Sequence, residues 1–232
     1  MDYPSTLVER YFLADTAGHQ LRILLEMDSY LHLRMANPTD NNAWFEVLCA
    51  PNLLVYNGDM GSFTWTRRGN PFDLFAHREP SAQAKAAGAT LYENFDYWAE
   101  KLAAVDSTGG DCSLYCFDHQ LFSAHVRALR LDWIRQAHAD QSLSRQERRS
   151  LWEAIQDELL DSVSDLESID DALVALQAFS WTSNNGDHYA AISDDLDPRQ
   201  FSRFSHAFQW ACYAVSMAHR LYSQARAVPQ AT

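Results

Sequence analysis

The sequence predicts an α+β protein in which an N-terminal antiparallel β-meander of about five strands is followed by a helical C-terminal part. Apolar and polar residues alternate with a period of two over roughly the first 70 residues, which is typical of half-buried strands. Asn57 and Gly58 form a hairpin dipeptide inside this region. From Pro71 onward the apolar spacing becomes helical. We expect a sheet region at 1–78 and a helical region at 89–227 that packs on it, within one integrated domain.

The five predicted strands are short and consecutive, which favours a meander. Asp28 and Ser29 supply the first turn, and Pro51 with Asn52 interrupts the chain before the fourth strand. Gly61 gives the last hairpin further conformational freedom. The strands are predicted at 21–27, 31–35, 44–48, 53–56 and 62–67.

The first helical segments are predicted to be short. Pro71 suits the first position of a helix and predicts a helical turn over 72–77. The stretch 79–88 is rich in alanine and polar residues and is predicted to be a loop. An amphipathic helix is predicted next, on the apolar stripe formed by Leu91, Phe95, Trp98 and Leu102.

Three further helices are marked by capping residues. Asp118 precedes an apolar segment of helical period, and Ser144 with Glu147 forms a capping box. Asp197 followed by Pro198 predicts the start of the longest helix. That helix is apolar on most of its sides, which is typical of a helix in the middle of a bundle or at a homo-oligomer interface.

The charge of the chain is unevenly distributed. Its formal net charge is −13, and the stretch from Ser150 to Pro198 contains no Lys or Arg. The same stretch contains twelve acidic residues, so the remainder of the chain is nearly neutral. Because proteins that bind nucleic acid present a basic surface, this distribution argues against direct binding to DNA or RNA.

The acidic stretch is the strongest candidate for a functional surface. Like charges four residues apart on a helix oppose folding, so twelve acids without a compensating base exceed what solubility requires. Such a surface attracts basic partners, including proteins that normally hold nucleic acid. The alternative is a solvated helix face without a function. The predicted partner-binding residues are Glu153, Asp157, Glu158, Asp161, Asp165, Glu167, Asp170, Asp171, Asp194 and Asp195.

No nucleophile or phosphate-loop motif accompanies the polar residues of the sequence. The patterns G-x-S-x-G, H-E-x-x-H, G-x-G-x-x-G and the Walker-type phosphate loop are all absent. His188 lies in a polar loop, where an imidazole can act as a general acid or base. For an enzyme, the candidate polar centres are His188, Asp187 and Asp59, but a solvated loop is the favoured interpretation.

Two further patterns have simpler structural interpretations. Cys112, Cys116 and His119 resemble metal ligands in their spacing. Structural zinc normally has four ligands, and no second Cys pair exists here, so buried free cysteines are predicted and no metal or other cofactor is expected. Residues 58–61 form either a plain hairpin turn, which is favoured, or a backbone nest for an anion.

Targeting signals are not recognisable in the sequence. No apolar run approaches the roughly 20 residues that cross a bilayer, and the first ten residues lack a basic and then apolar pattern. Four cysteines without an export signal indicate reduced thiols. These features predict a cytoplasmic protein with no membrane partner.

Several segments together resemble one known family. Residues 56–63 read Y-N-G-D-M-G-S-F, and an arginine and the short aromatic segment 72–75 follow. Residues 97–101 read Y-W-A-E-K, and the C-terminal segment 208–214 reads F-Q-W-A-C-Y-A, with Ala211 where the family often has Cys. In these segments the chain resembles a family of uncharacterised phage and prophage proteins. The similarity is weakest over 112–196.

The family has no assigned function, so the resemblance carries over no catalytic residue. It implies a mobile element and expression in the cytoplasm of an infected bacterium. With the acidic stretch, it predicts a non-enzymatic accessory protein that inhibits a host nucleic-acid-handling complex with a basic surface, such as a CRISPR effector or a restriction enzyme. The alternatives are an enzyme acting on a nucleotide or nucleic acid, and a virion or assembly component.

Overall fold

An antiparallel sheet near the N-terminus is followed by helices, which confirms the predicted α+β class. The computed structural model describes residues 5–76, 78–106, 113–191 and 197–227. None of the helices in these ranges is both long and apolar enough to span a bilayer.

The five predicted strands are present, and a sixth strand extends the sheet. Each strand pairs antiparallel with the next. In chain order the elements are α1 (Ser5–Asp15), β1 (Gln20–Met27), β2 (Tyr30–Asn37), β3 (Asp40–Ala50), β4 (Leu53–Gly58), β5 (Gly61–Thr66), a 3-10 helix (Pro71–Phe75), α2 (Ala82–Ala86), α3 (Phe95–Glu100) and β6 (Leu102–Val105).

The second half of the chain is mainly helical. β8 pairs with β9, and β7 pairs with β10. In chain order the elements are β7 (Tyr115–Phe117), α4 (His119–Ala139), α5 (Arg145–Ile155), a π-helical turn (Gln156–Leu160), a 3-10 turn (Val163–Asp165), α6 (Ile169–Ala178), β8 (Ser180–Thr182), β9 (His188–Ala190), a 3-10 helix (Pro198–Phe201), β10 (Ser202–Phe204) and α7 (His206–Ala227).

The chain divides into two compact units. The sheet unit contains Met1–Leu114 and Phe204–Thr232, and the helical unit contains Tyr115–Arg203. These boundaries differ from those of the predicted regions, 1–78 and 89–227, because α7 packs with the sheet although it lies at the far end of the sequence. The helical unit is therefore an insertion in the sequence of the sheet unit.

One face of the sheet forms the core of the sheet unit. Leu33, Val47, Tyr56 and Phe63 lie opposite one another on β2 to β5, and all four are buried. Period-two alternation therefore places one apolar row on a single face, as the sequence predicted.

α7 covers this buried face. Its Trp210 is fully buried and packs edge-on against Phe45 of β3 and Phe12 of α1, with ring centroids 5.7 and 5.1 Å apart. The helix is buried on several sides, as predicted, but its neighbours are the sheet and the shorter helices around it, namely α1, the 3-10 helix Pro71–Phe75 and α3. The expectation of a position in the middle of a helical bundle is therefore wrong.

α7 also begins later than predicted. Asp197 caps a short 3-10 helix, since the Arg199 amide donates to its Oδ1 at 3.0 Å. The chain then forms β10, and α7 is capped by Ser205, whose hydroxyl accepts from the Phe208 amide at 3.1 Å. Asp197 followed by Pro198 therefore does mark the start of a helix, as predicted. That helix is the short 3-10 helix and not α7.

Three other elements differ from the predictions. α1 was not predicted, and α2 lies in the stretch 79–88 that was predicted to be a loop. The predicted helical stripe from Leu91 to Leu102 is longer than the helix at both ends, because α3 spans Phe95–Glu100 and the chain then pairs with the edge of β5. Leu102 there lies opposite Trp65.

The opposite face of the sheet carries a polar cluster. Glu46 on β3 accepts a hydrogen bond from Arg34 at 2.7 Å and pairs with His32 at 2.9 Å. The guanidinium of Arg34 also lies 5.0 Å from the ring centroid of Trp44. Leu48 and Leu53, on the same face, are each 39% exposed.

The helical unit has an apolar core of its own, formed by residues of α4, α5 and α6 that include Phe122, Leu151 and Leu176. Its predicted caps are confirmed. Asp118 accepts hydrogen bonds from the Gln120 and Leu121 amides, and Ser144 and Glu147 form the reciprocal capping box.

Candidate functional site

Four carboxylates spaced by four residues form a row along the segment that joins α5 to α6. We call Glu153, Asp157, Asp161 and Asp165 the acidic row. All four side chains are exposed. The row starts in α5, passes through the π-helical turn and ends in the 3-10 turn.

A second row explains why the acids face outward. Leu151, Ile155, Leu159 and Val163 have the same spacing of four, and all of them are buried in the core of the helical unit. This apolar row is offset from the acidic row by two residues, which is about half a helical turn. Burial of one row therefore holds the other in solvent.

A π-helical turn lies in the middle of both rows. In an α-helix, a step of four residues overshoots one turn by about 40°, so a four-residue repeat drifts around the axis. A π-helical turn holds more residues, as the Asp161 amide shows by donating to the Gln156 carbonyl five residues back at 2.8 Å. The wide turn therefore counteracts the drift in the middle of the rows.

The charges of the row are largely uncompensated. Glu153 pairs with Arg149 at 2.8 Å. Within the described ranges, Asp157, Asp161 and Asp165 form no ion pair. Asp161 accepts a hydrogen bond from the neutral Gln156 amide at 2.6 Å, which leaves its charge in place.

The remaining predicted acids fall into three groups. Glu158, Glu167 and Asp170 are exposed and extend the acidic surface beyond the row. Asp171 is exposed but caps α6, and hydrogen bonds from Ser168 and the Glu167 amide hold its pKa below the usual value. Asp194 and Asp195 lie outside the described residues.

The candidate catalytic residues are divided between the two units. Asp59 belongs to the sheet unit, whereas Asp187 and His188 belong to the helical unit. His188 is exposed, and its Nδ1 lies 3.2 Å from the hydroxyl of Thr182.

The cavity beside His188 has a volume of about 410 Å³ and is lined by Asp140 as well as Asp187. Among the described residues that line it there is no Lys or Arg. The two carboxylates oppose the binding of a phosphate group, so they give no support to a nucleotide substrate.

Two of the cysteines are buried in the sheet unit. Cys49 and Cys212 are buried free thiols, and burial raises the pKa of Cys49 to about 12. Cys112 lies outside the described residues, and no three His, Cys, Asp or Glu side chains within the described ranges are grouped as metal ligands.

In the hairpin between β4 and β5, the Asp59 amide donates to the Trp44 carbonyl at 3.2 Å. That amide is therefore occupied and is not free to bind an anion. Gly58 is required by close packing, since a Cβ there would lie 2.5 Å from the Trp44 carbonyl oxygen.

Most residues of the acidic surface could be predicted from the sequence, but the π-helical turn in the middle of the acidic row could not. The two rows offset by two residues are visible in the sequence as i, i+4 patterns. The π-helical turn has no comparable signal, and the Ser168–Asp171 capping box has Asp where the S-x-x-E pattern of Ser144 and Glu147 has Glu.

Comparisons with known proteins give no independent assignment of this chain. No family model, no curated protein and no solved structure matches it.

Proposed function

We propose that this chain is a non-enzymatic accessory protein of a phage or another mobile element, and that it inhibits a host nucleic-acid-handling defence complex. The acidic row is the surface that binds the partner. The observation that carries the proposal is a row of exposed carboxylates, three of which form no ion pair within the described ranges. The mobile-element setting rests on the sequence resemblance alone.

Because this surface is negatively charged, we expect a partner with a positively charged surface. A groove that holds DNA or RNA is lined by Lys and Arg, and it attracts any regular row of negative charges. Exposed charges interact over a screening length of about 8–10 Å at ordinary salt, so several aligned carboxylates act together where one would have little effect. We therefore expect the chain to compete with nucleic acid for the same groove.

The test uses two variants with the same change in net charge. Asp157→Asn/Asp161→Asn/Asp165→Asn neutralises the row, and Asp28→Asn/Asp59→Asn/Asp96→Asn neutralises three exposed acids of the sheet unit. Each protein is used to capture partners from infected cells, and the affinity for the recovered complex is measured over a range of salt. We expect the first variant to bind roughly 3- to 100-fold more weakly, with a shallower salt dependence, and the second to bind like the unchanged protein.

Inhibition of a defence system is tested by measuring how efficiently phage form plaques on hosts that carry it. Expression of the unchanged protein in hosts that carry CRISPR or restriction systems should restore plating, and the row variant should not. Equal rescue by both variants would show that the row is only a solvated face. Turnover of nucleotides that is lost in His188→Ala would support an enzyme, and recovery of the chain from purified virions would support an assembly component.

A further inference from the structure

A cavity in the sheet unit combines apolar walls with an unusual concentration of positive charge. It has a volume of about 230 Å³ and lies between α1, α7 and the segments on either side of α2. Its apolar walls include Phe12, Leu91, Tyr92 and Met217. Sites for small molecules have this character, with mostly apolar walls and a few polar groups that orient the ligand.

Two arginines line the cavity, and none of the described residues that line it is acidic. Arg220 comes from α7, and Arg78 comes from the segment after the first 3-10 helix. Within the described ranges neither guanidinium forms an ion pair. Arg78 lies against Tyr92, with 5.7 Å between its guanidinium carbon and the ring centroid. In a chain of net charge −13, two unpaired arginines at one cavity indicate a site for an anion.

The wall formed by α7 changes from apolar to charged along its length. Tyr213, Ser216, Met217 and Arg220 share one helix face by their 3–4 spacing. Tyr213 is 1% exposed and its hydroxyl donates to Glu93 at 3.1 Å, whereas Arg220 is only half-buried. On this helix face Tyr213 is therefore the buried end, and Arg220 is the more exposed, cationic end.

The hydroxyl of Ser216 is a second, independent feature that a polar ligand atom would satisfy. Ser216 lines the cavity, and its hydroxyl oxygen is buried and has no hydrogen-bond partner within the described ranges. A buried hydroxyl without a partner is unfavourable, and a polar ligand atom would satisfy it.

We propose that this cavity binds a small amphipathic anion, with the apolar part against Phe12 and Met217 and the oxyanion head group held by Arg78 and Arg220. Carboxylates and phosphate monoesters share this head-group chemistry, since the planar guanidinium forms paired hydrogen bonds with either. The site is separate from the acidic row, and it does not depend on the function proposed for that row.

The test measures binding of octanoate, octyl phosphate and uncharged 1-octanol to the full chain by isothermal titration calorimetry. We expect saturable one-site binding of at least one of the two anions, and weaker binding of the alcohol. The stronger of the two anions identifies the head group. Arg78→Gln and Arg220→Gln should each weaken anion binding about 10- to 100-fold, and Arg67→Gln, an exposed arginine elsewhere on the same unit, should leave it unchanged.

The location of the site is tested by filling the cavity. Ala17→Phe places a ring among the lining residues without altering charge, and it should abolish binding of all three probes. Far-UV circular dichroism of each variant verifies its fold. The proposal is overturned if no anion binds at millimolar concentration, if 1-octanol binds as tightly as the anions, or if folded Arg78→Gln and Arg220→Gln proteins bind like the unchanged chain.

Discussion

At the scale of single residues, Glu46 has a lowered pKa within the polar cluster on the face of the sheet opposite the core. Burial raises the pKa of this carboxyl, but hydrogen bonds from His32 and Arg34 outweigh that effect and bring its pKa below the ordinary value of 4.5. A carboxyl with a lowered pKa in the folded state stabilises the fold above its unfolded pKa, and the stabilisation is lost as the pH falls through the folded value.

We therefore expect Glu46→Gln to be less stable than the unchanged protein at pH 7, with the difference shrinking as the pH falls below about 4.5. Urea unfolding at a series of pH values measures this. Glu100→Gln is the control, because the Glu100 carboxylate at the end of α3 is mostly exposed although it pairs with Lys101. A stability difference that is constant with pH would show that the pair contributes packing and not charge.

At the scale of secondary-structure elements, helix α6 depends on one reciprocal cap. The Ser168 hydroxyl accepts from the Asp171 amide at 3.1 Å, and the Asp171 carboxylate accepts from the Ser168 amide at 3.0 Å. Ser168→Ala should lower the free energy of unfolding by roughly 0.5–2 kcal/mol. Thermal unfolding compares it with Ser164→Ala, whose hydroxyl forms only a long 3.4 Å contact with Asp165. Equal effects of the two changes would contradict a role for the cap.

Some secondary-structure elements could be predicted from local sequence, and others could not. β2 to β5 follow period two and are separated by turn residues, so local sequence determines them. In β1 a bulge between Ile23 and Leu25 interrupts the alternation, and its side chains are exposed except for Leu21, which is half-buried. β6 is a short apolar segment that follows a genuine helix, and only its pairing with β5 makes it a strand. For the acidic row, exposure follows from charge and spacing, but no local sequence signal marks the π-helical turn at Gln156–Leu160.

At the scale of the whole molecule, the inserted helical unit begins and ends at neighbouring points of the sheet unit. The Ser205 amide donates to the Leu114 carbonyl at 3.0 Å, and its hydroxyl donates to the Ser113 carbonyl at 2.5 Å. The chain therefore leaves the sheet unit and returns to it at adjacent positions. Insertions with close ends are well tolerated because they do not strain their host.

We expect a protein in which Tyr115–Arg203 is replaced by a short Gly-Ser linker to fold. The buried Trp65, Trp98 and Trp210 should retain a near-UV circular dichroism signal that disappears in one cooperative transition. The separate 115–203 fragment should also unfold cooperatively, since it has its own core. Loss of the near-UV signal with retained far-UV signal would show that the sheet unit does not form a packed core without the insertion.

The late position of α7 in the chain has a consequence for synthesis on the ribosome. At about 5–20 residues per second, roughly 6–25 s pass between translation of β6 and of the end of α7. During that interval the apolar face that carries Val47, Tyr56 and Phe63 has been made, but its covering helix has not. Nascent chains should therefore recruit chaperones that hold exposed apolar segments. Chains that terminate before His206 should aggregate or be degraded, and should not accumulate as folded fragments.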